Sequence, residues 1–184
     1  MSDFSGQTKA DVRRGLLATR RSRPQSDEAV RATLATLATG LDTVAAYVPM
    51  AGEPGGAGLP DALAAVCGRL LLPVVRPDLD LDWAVYAGSL VPAAFGLREP
   101  PGPRLGPAAV VAAPLVVVPA LAVDLRGVRL GRGGGSYDRA LARLGPGTLI
   151  VAALYDGEFV SALPSEDHDV RVHAVVTPSG LTRI

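Results

Sequence analysis

The first rhythm of apolar and polar positions in the chain is helical. Between residues 8 and 23, Val12, Leu16 and Leu17 form an apolar stripe with Arg13, Arg14, Arg20 and Arg21 beside it. This predicts an amphipathic helix stopped by Pro24. Ser26 followed by Asp27 and Glu28 reads as an N-cap with an acidic first turn, opening a second helix to about Thr39 that Gly40 closes. The period then changes. Residues 43–48 are a short apolar run ended by Pro49, a buried strand. A loop containing Gly52, Gly55, Gly56 and Gly58 leads to a helix around 61–68, and 70–75 and 81–86 read as the next strands. Residues 89–114 are rich in proline and glycine and predict an ordered, irregular connection. A fully apolar strand follows at 115–119, then a glycine-rich segment and a helix to about Leu144. Two more apolar strands stand at 148–154 and 172–176. Strands that alternate with helices and are apolar on both faces predict an α/β fold, three-layer, with a mostly parallel sheet flanked by helices. The two N-terminal helices are expected to pack on that sheet. Neither an internal repeat nor a linker is visible, so residues 1–184 are expected to form a single domain.

Composition narrows the function classes. Hydrophobic residues make up 48% of the chain but aromatics only 4%, so the core has to be built from Ala, Val and Leu. Basic and acidic residues balance at 18 each, which argues against a bulk nucleic-acid binder or a polybasic membrane partner. No apolar run approaches the roughly 20 residues that span a bilayer, and the first residues lack a secretory apolar segment. The expectation is a soluble, cytoplasmic protein. Cys67 is the sole cysteine, which excludes an internal disulfide, a thiolate-rich zinc site and a CxxC redox pair; it reads as a small buried hydrophobe. His168 and His173 are too few for a three-histidine metal centre. Every basic residue except Lys9 is arginine, so no arginine earns a role from its type alone.

The sharpest chemical feature is Gly131-Arg132-Gly133-Gly134-Gly135, placed between a buried strand and a helix. Glycines permit positive φ and let several backbone N–H groups converge. With Arg129, Arg132 and the following helix start, that combination suits phosphate. The Gly-Lys-Ser/Thr ending of a P-loop is missing, as is the Gly-x-Gly-x-x-Gly dinucleotide pattern. Three consecutive glycines each cost about 1 kcal/mol in ordering relative to alanine, which favours a functional reading over a passive hairpin. Asp138 reads as a first-turn acid, or beside a phosphate cradle as an oxygen ligand for Mg²⁺. Asp169, taken alone, reads as a solvated turn acid. Lys9 and Arg13 share a helix face with Arg14 and Arg20, by default a solvated basic stripe. No Gly-x-Ser-x-Gly elbow supports a serine nucleophile.

The segment Arg129-Leu-Gly-Arg-Gly-Gly-Gly-Ser-Tyr-Asp-Arg139, preceded by Pro119-Ala-Leu-Ala-Val-Asp124 and Gly127, resembles the signature of the 5-formyltetrahydrofolate cyclo-ligases, also called methenyltetrahydrofolate synthetases. The resemblance runs in order along nearly the whole chain, through residues 9–13, Tyr47-Val-Pro-Met-Ala-Gly-Glu53, Gly96-Leu-Arg-Glu-Pro100, Leu163-Pro164, His168-Asp169 and Val175-Val-Thr-Pro178. It implies a NagB/RpiA-like fold and an ATP- and Mg²⁺-dependent ring closure of 5-formyltetrahydrofolate to 5,10-methenyltetrahydrofolate, through a phosphorylated formyl intermediate. Carried over by position, Lys9, Arg13, Arg129, Leu130, Gly131, Arg132, Gly133, Gly134, Gly135, Ser136 and Tyr137 are the ATP-binding candidates. Met50 and Glu53, with Arg132, Gly133, Gly134, Gly135 and Ser136, are the substrate-binding candidates, Glu53 accepting hydrogen bonds from the pterin. Arg132 and Lys9 are the catalytic candidates, and Asp138 and Asp169 the metal ligands.

Three positions depart from the family pattern. Ser136 replaces the first of an aromatic pair, Gly55 replaces a further acid two positions after Glu53, and His173 replaces a closing aspartate, leaving Asp169 to act without it. The departures at Ser136 and Gly55 raise a second reading, a catalytically degenerate relative that binds folate or nucleotide as a sensor or store. The intact set Lys9, Arg13, Arg129, Arg132 and Asp138 favours the enzyme. A different ATP-dependent ligase or kinase on the same scaffold has no positive feature behind it. The expected partner is a small-molecule reduced folate, with no nucleic acid and no membrane, in a monomer or weak homo-oligomer.

Overall fold

The computed structural model describes residues 1–20, 26–166 and 169–184. The expected end of the first helix at 21–23, its stop at Pro24, and His168 lie outside the described residues. Helix α1 (Lys9–Arg20) and helix α2 (Asp27–Ala38) precede strand β1 (Thr43–Ala45), helix α3 (Leu59–Ala64), and strands β2 (Arg69–Val75) and β3 (Leu81–Val85). A hairpin of β4 (Val91–Pro92) and β5 (Arg98–Glu99) occupies the irregular connection. Then come β6 (Leu115–Pro119), β7 (Ala122–Asp124), β8 (Arg129–Leu130), helix α4 (Ser136–Leu141), β9 (Leu149–Ala153), β10 (Phe159–Val160), β11 (Ala174–Thr177) and β12 (Gly180–Arg183). Ser26 stands at the N-cap of α2 but its side chain makes no capping hydrogen bond.

Seven strands form the main sheet in the order β12-β11-β9-β6-β1-β2-β3. The central strands β11, β9, β6, β1 and β2 run parallel, and antiparallel strands close both edges, β12 against β11 and β3 against β2. Strand alternation sorts the apolar residues onto two faces. Val44, Leu70, Leu72, Val117, Val151 and Val176 pack under Val30 and Leu34 of α2 and Leu59 and Leu63 of α3. Ala45, Leu71, Val116, Val118, Ile150 and Val175 pack with Ala140 and Leu141 of α4 and with Val110. These are the three layers that the apolar strands predict.

A second sheet, β10-β7-β8, was not legible as strands, because two or three residues carry no measurable period. Helix α1 packs on this small sheet, not on the main one: Val12 and Leu16 meet Leu121, Val128, Leu130 and Val160. Only α2 of the two N-terminal helices covers the main sheet. The β7–β8 turn is built around Asp124, fully buried, which accepts the backbone N–H groups of Arg126 at 2.8 Å and Val128 at 3.0 Å. Gly127 holds φ +80° there, and a Cβ would lie 2.5 Å from the Val172 carbonyl, so no side chain fits. This turn sends β8 back so that Arg129 and the glycine segment emerge beside α1. Cys67 is half-buried against the α2–α3 side of the sheet rather than sealed in it. Among the described residues, no helix is long and apolar enough to cross a membrane.

Candidate active site

A cleft of about 820 Å³ opens where β1 and β6 end, the edge of a parallel sheet at which ligands bind. Tyr47, Met50 and Glu53 reach it from the chain leaving β1, and Pro119, Ala120 and Leu121 from the end of β6. Lys9 and Arg13 come from α1, and Arg129 through Asp138 from β8, the glycine segment and the start of α4. Every residue singled out in the sequence as an ATP, substrate, catalytic or metal candidate lines this one cleft, Asp169 included.

On the glycine side, Arg13 donates from Nε to the Gly131 carbonyl at 2.9 Å. Gly133 holds φ +107°, a conformation that strains any L side chain, and a Cβ there would be in ordinary contact with the Arg13 guanidinium, so glycine is needed for the turn. Arg129 is buried; it donates to Asp138 at 2.8 Å and sits 5.8 Å from the Tyr137 ring centroid. Its Nε is buried with no hydrogen-bond partner among the described residues, a donor left to a ligand or water. Lys9 Nζ lies 2.9 and 3.0 Å from the Asp169 carboxylate and 3.4 Å from Glu166.

On the other side, Glu53 is 6% exposed. Its Oε1 accepts from Arg132 Nε at 2.8 Å, and its Oε2 from the Met50 N–H at 3.0 Å. Burial pushes the Tyr47 and Tyr137 phenols above their ordinary range, and the Glu53 charge adds to this. Both remain neutral; Tyr47 donates its hydroxyl to the Pro54 carbonyl. The opposite wall is apolar, with Pro73, Val75, Leu79, Leu81 and the hairpin residues Phe95 and Leu97.

The basic stripe expected on α1 divides into unlike parts. Arg13 turns into the cleft, while Arg14 is a surface residue 3.2 Å from Asp11. Arg20 is 4% exposed, bound in a buried pair to Glu158 at 2.6 and 2.8 Å. The reading of Arg20 as solvated fails because Glu158 and the Ala120 carbonyl satisfy its guanidinium inside the fold. Two of the three departures also lie away from the cleft lining, where only Ser136 is found. Gly55 is a turn residue at φ +87° whose Cβ would crowd the Leu59 side chain at 3.1 Å, so an acid at position 55 would be strained. His173 accepts the Ile150 N–H on Nδ1 at 3.0 Å at the start of β11, the opposite end of the parallel strands. It therefore does not occupy a missing carboxylate position beside Asp169.

The cleft also holds Leu79, Phe95 and Glu166, which the sequence did not single out, and Arg98 and Glu99 of the 96–100 segment, to which it gave no role. A signal for one of them existed. Phe95 is a rare aromatic in this chain, and it is 73% exposed at φ +60°. Glu99 is fixed by accepting the Val75 N–H at 2.9 Å, which docks the hairpin onto the end of β2.

The carboxylates suit Mg²⁺ only in part by themselves. Among the described residues, no three metal-binding side chains cluster, and Asp138 and Asp169 are each paired with a cation of the chain. Magnesium commonly takes one or two carboxylates with phosphate oxygens and water. The donor set fits that pattern once Lys9 turns from Asp169 to a phosphate.

A family model described as the 5-formyltetrahydrofolate cyclo-ligase family matches residues 5–178. The chain belongs to the 5-formyltetrahydrofolate cyclo-ligase family. It is an enzyme of that family, a ligase of folate chemistry. The chain is 43% identical to the 5-formyltetrahydrofolate cyclo-ligase of Mycolicibacterium smegmatis, over 95% of this chain and 96% of that protein. It is 42% identical to the Escherichia coli K12 5-formyltetrahydrofolate cyclo-ligase over a shorter stretch, 35% of this chain and 36% of that one. The solved structure of Aquifex aeolicus 5,10-methenyltetrahydrofolate synthetase superposes with a TM-score of 0.78 at 28% identity, covering 96% of this chain and 93% of its own. The Mycoplasma pneumoniae synthetase shares the fold at a TM-score of 0.71 and 18% identity, covering 92% of this chain and 98% of its own.

Proposed function

We propose that residues 1–184 form a single catalytic domain that closes 5-formyltetrahydrofolate to 5,10-methenyltetrahydrofolate, consuming Mg-ATP and releasing ADP and phosphate. The observation that carries this reading is the division of one cleft. Lys9, Arg13, Arg129 and Arg132 gather around a glycine segment on one side, a buried carboxylate, Glu53, stands on the other, and an apolar wall faces them. Among the described residues the lining holds no nucleophile–base pair, and in this reading the chain's contribution is positioning and charge neutralisation.

In this reading Glu53 accepts hydrogen bonds from the pterin amino and ring N–H groups, with Met50 beside it. Gly133, Gly134, Gly135 and Ser136 line the place where folate and triphosphate meet. The formyl oxygen attacks the γ-phosphorus, and the bond from that phosphorus to the ADP oxygen breaks. N10 then attacks the formyl carbon, phosphate departs with the carbon–oxygen electron pair, and the N10 proton passes to solvent. Arg132 and Lys9 balance the charge on the transferred group, and Arg13 and Arg129 hold the remaining phosphates. Asp138 and Asp169 would hold Mg²⁺, which neutralises phosphate charge when bound. The partner is a reduced folate. The setting is the cytoplasm, with the protein a monomer or weak homo-oligomer that engages neither nucleic acid nor membrane.

The test is to mix the protein with Mg-ATP and 5-formyltetrahydrofolate, following the near-ultraviolet absorbance of the methenyl product and ADP together. Matched one-to-one growth is expected. Saturable binding of either ligand without product would overturn the reading in favour of a degenerate binding protein.

A further inference from the structure

Glu53 comes from the chain leaving β1 and Arg132 from the glycine segment after β8, yet they are bonded to each other. Arg132 Nε donates to Glu53 Oε1 at 2.8 Å, although the two residues are far apart in sequence. The partners differ in exposure, the Glu53 side chain at 7% and the Arg132 side chain at 44%. The carboxylate is thus the desolvated member, and among the described residues its other oxygen accepts the Met50 N–H alone. A buried carboxylate stripped of its cation is strongly unfavourable unless other donors replace it. Arg132 holds Glu53 through Nε, so its Nη groups can engage a phosphate first, and a phosphate that draws the whole guanidinium toward itself breaks the Nε bond.

From this we infer that the Glu53–Arg132 pair is a positioning latch that couples the two ligand sites, so that folate and nucleotide bind with positive cooperativity. The inference rests on the folate and ATP reading above. A triphosphate that draws Arg132 away leaves Glu53 without its hydrogen-bonded cation, because Arg20, which also senses the Glu53 charge, is held by Glu158. Two pterin N–H donors then satisfy it, and bind better than they would to a carboxylate already paired. In the other order, the pterin replaces Arg132 on Glu53, and the guanidinium swings toward the phosphates already neutralised in part by Arg13. By linkage the two effects are equal in size. Arg132 therefore becomes available to the transferred phosphate most fully when the acceptor is in place, which limits wasteful ATP hydrolysis.

Calorimetric titration of the full chain tests this with 5-formyltetrahydrofolate and a non-hydrolysable ATP analogue plus Mg²⁺. In the wild-type protein the Kd of each ligand is expected to fall about 5- to 150-fold when the other is saturating, the usual range of coupling between sites. Glu53→Gln keeps the shape and an acceptor for the Met50 N–H while releasing Arg132. It is expected to tighten analogue binding to the folate-free protein and to reduce the coupling to less than about twofold. A purely structural role for Glu53 would weaken analogue binding instead, and that result would overturn the latch. Arg132→Gln is expected to abolish the coupling too, with analogue binding weakened. Wild-type protein that turns over substrate yet binds the two ligands independently removes the latch and leaves the functional reading standing. Wild-type protein that binds neither ligand removes both.

Discussion

Arg132 lies in a glycine-rich loop, and its place in the sequence suggests that removing it would impair chemistry and spare stability. The structure alters that expectation, because Arg132 is the cation on the buried Glu53. Arg132→Ala is expected to lower kcat/KM by about 100-fold or more and also to destabilise the fold by about 1–3 kcal/mol. Adding Glu53→Gln to that variant is expected to recover the melting temperature but not the turnover, which thermal melts and steady-state kinetics on the same samples would establish. A variant that loses turnover with no thermal effect would contradict the burial argument. Asp138→Asn retains an oxygen for Arg129 Nη2, now at 2.8 Å from the carboxylate, and removes one charge. It is expected to raise the Mg²⁺ concentration needed for half-maximal rate, with little change in melting; an unchanged Mg²⁺ titration would take Asp138 out of the metal site. The residue types of the site were readable in the chain. Their pairing was not, since Glu53 with Arg132 and Lys9 with Asp169 join positions that no local pattern relates.

Among the elements, α1 shows how a surface helix is made into part of a site. Its apolar residues Val12 and Leu16 pack on the small sheet, which leaves Lys9 and Arg13 facing the cleft. At its last turn Arg20 is held by Glu158 and by the Ala120 carbonyl at 2.8 Å, with the Tyr155 ring centroid 5.4 Å away. Ala120 itself lines the cleft, so this anchor fixes α1 relative to the end of β6. Arg20→Ala strands Glu158 in the interior and is expected to destabilise the protein by about 3–5 kcal/mol. It is also expected to raise the KM for ATP, because Lys9 and Arg13 lose their placement. Chemical denaturation with parallel kinetics checks both effects, and an Arg20 variant of unchanged stability would refute the anchor. The periodicity located α1, but 3.6-residue spacing does not say which sheet a helix meets. The β7, β8 and β10 strands that receive it are too short to announce themselves.

At the level of the whole molecule, the aromatic-poor fold keeps three of its tyrosines out of water in whole or in part, beside its buried ion pairs. Burial raises the phenol pKa of Tyr47, Tyr137 and Tyr155; Tyr155 is further raised by donating to Asp27 at 2.8 Å. The folded-state values lie above the unfolded value of about 10. The unfolded chain therefore gives up these protons first as pH rises. The contribution to stability is complete below about pH 10 and is lost progressively above it, by about 1.4 kcal/mol per pH unit for each such tyrosine. Denaturant melts from pH 8 to pH 11 are expected to be level at first and then to fall steeply, while tyrosinate absorbance appears together with unfolding. Tyrosinate appearing before unfolding would show that these rings are open to solvent.

By itself the sequence determined the α/β architecture, the phosphate-suited glycine segment, the family, and the residues that share the cleft. Each of these is written in local patterns: apolar runs, glycine spacing, and acids and bases at fixed offsets from them. The tertiary structure decided the antiparallel edges of the sheet, the second sheet beneath α1, the burial of Arg20, and the bond between Glu53 and Arg132. These depend on which distant segments meet and on which charges lose water when they do, and strands of two or three residues and ion pairs across the chain leave no periodic trace. Position 55 shows the difference. In the chain it reads as an acid missing from a binding segment, and in the fold it is a left-handed turn packed on Leu59, where backbone geometry requires glycine.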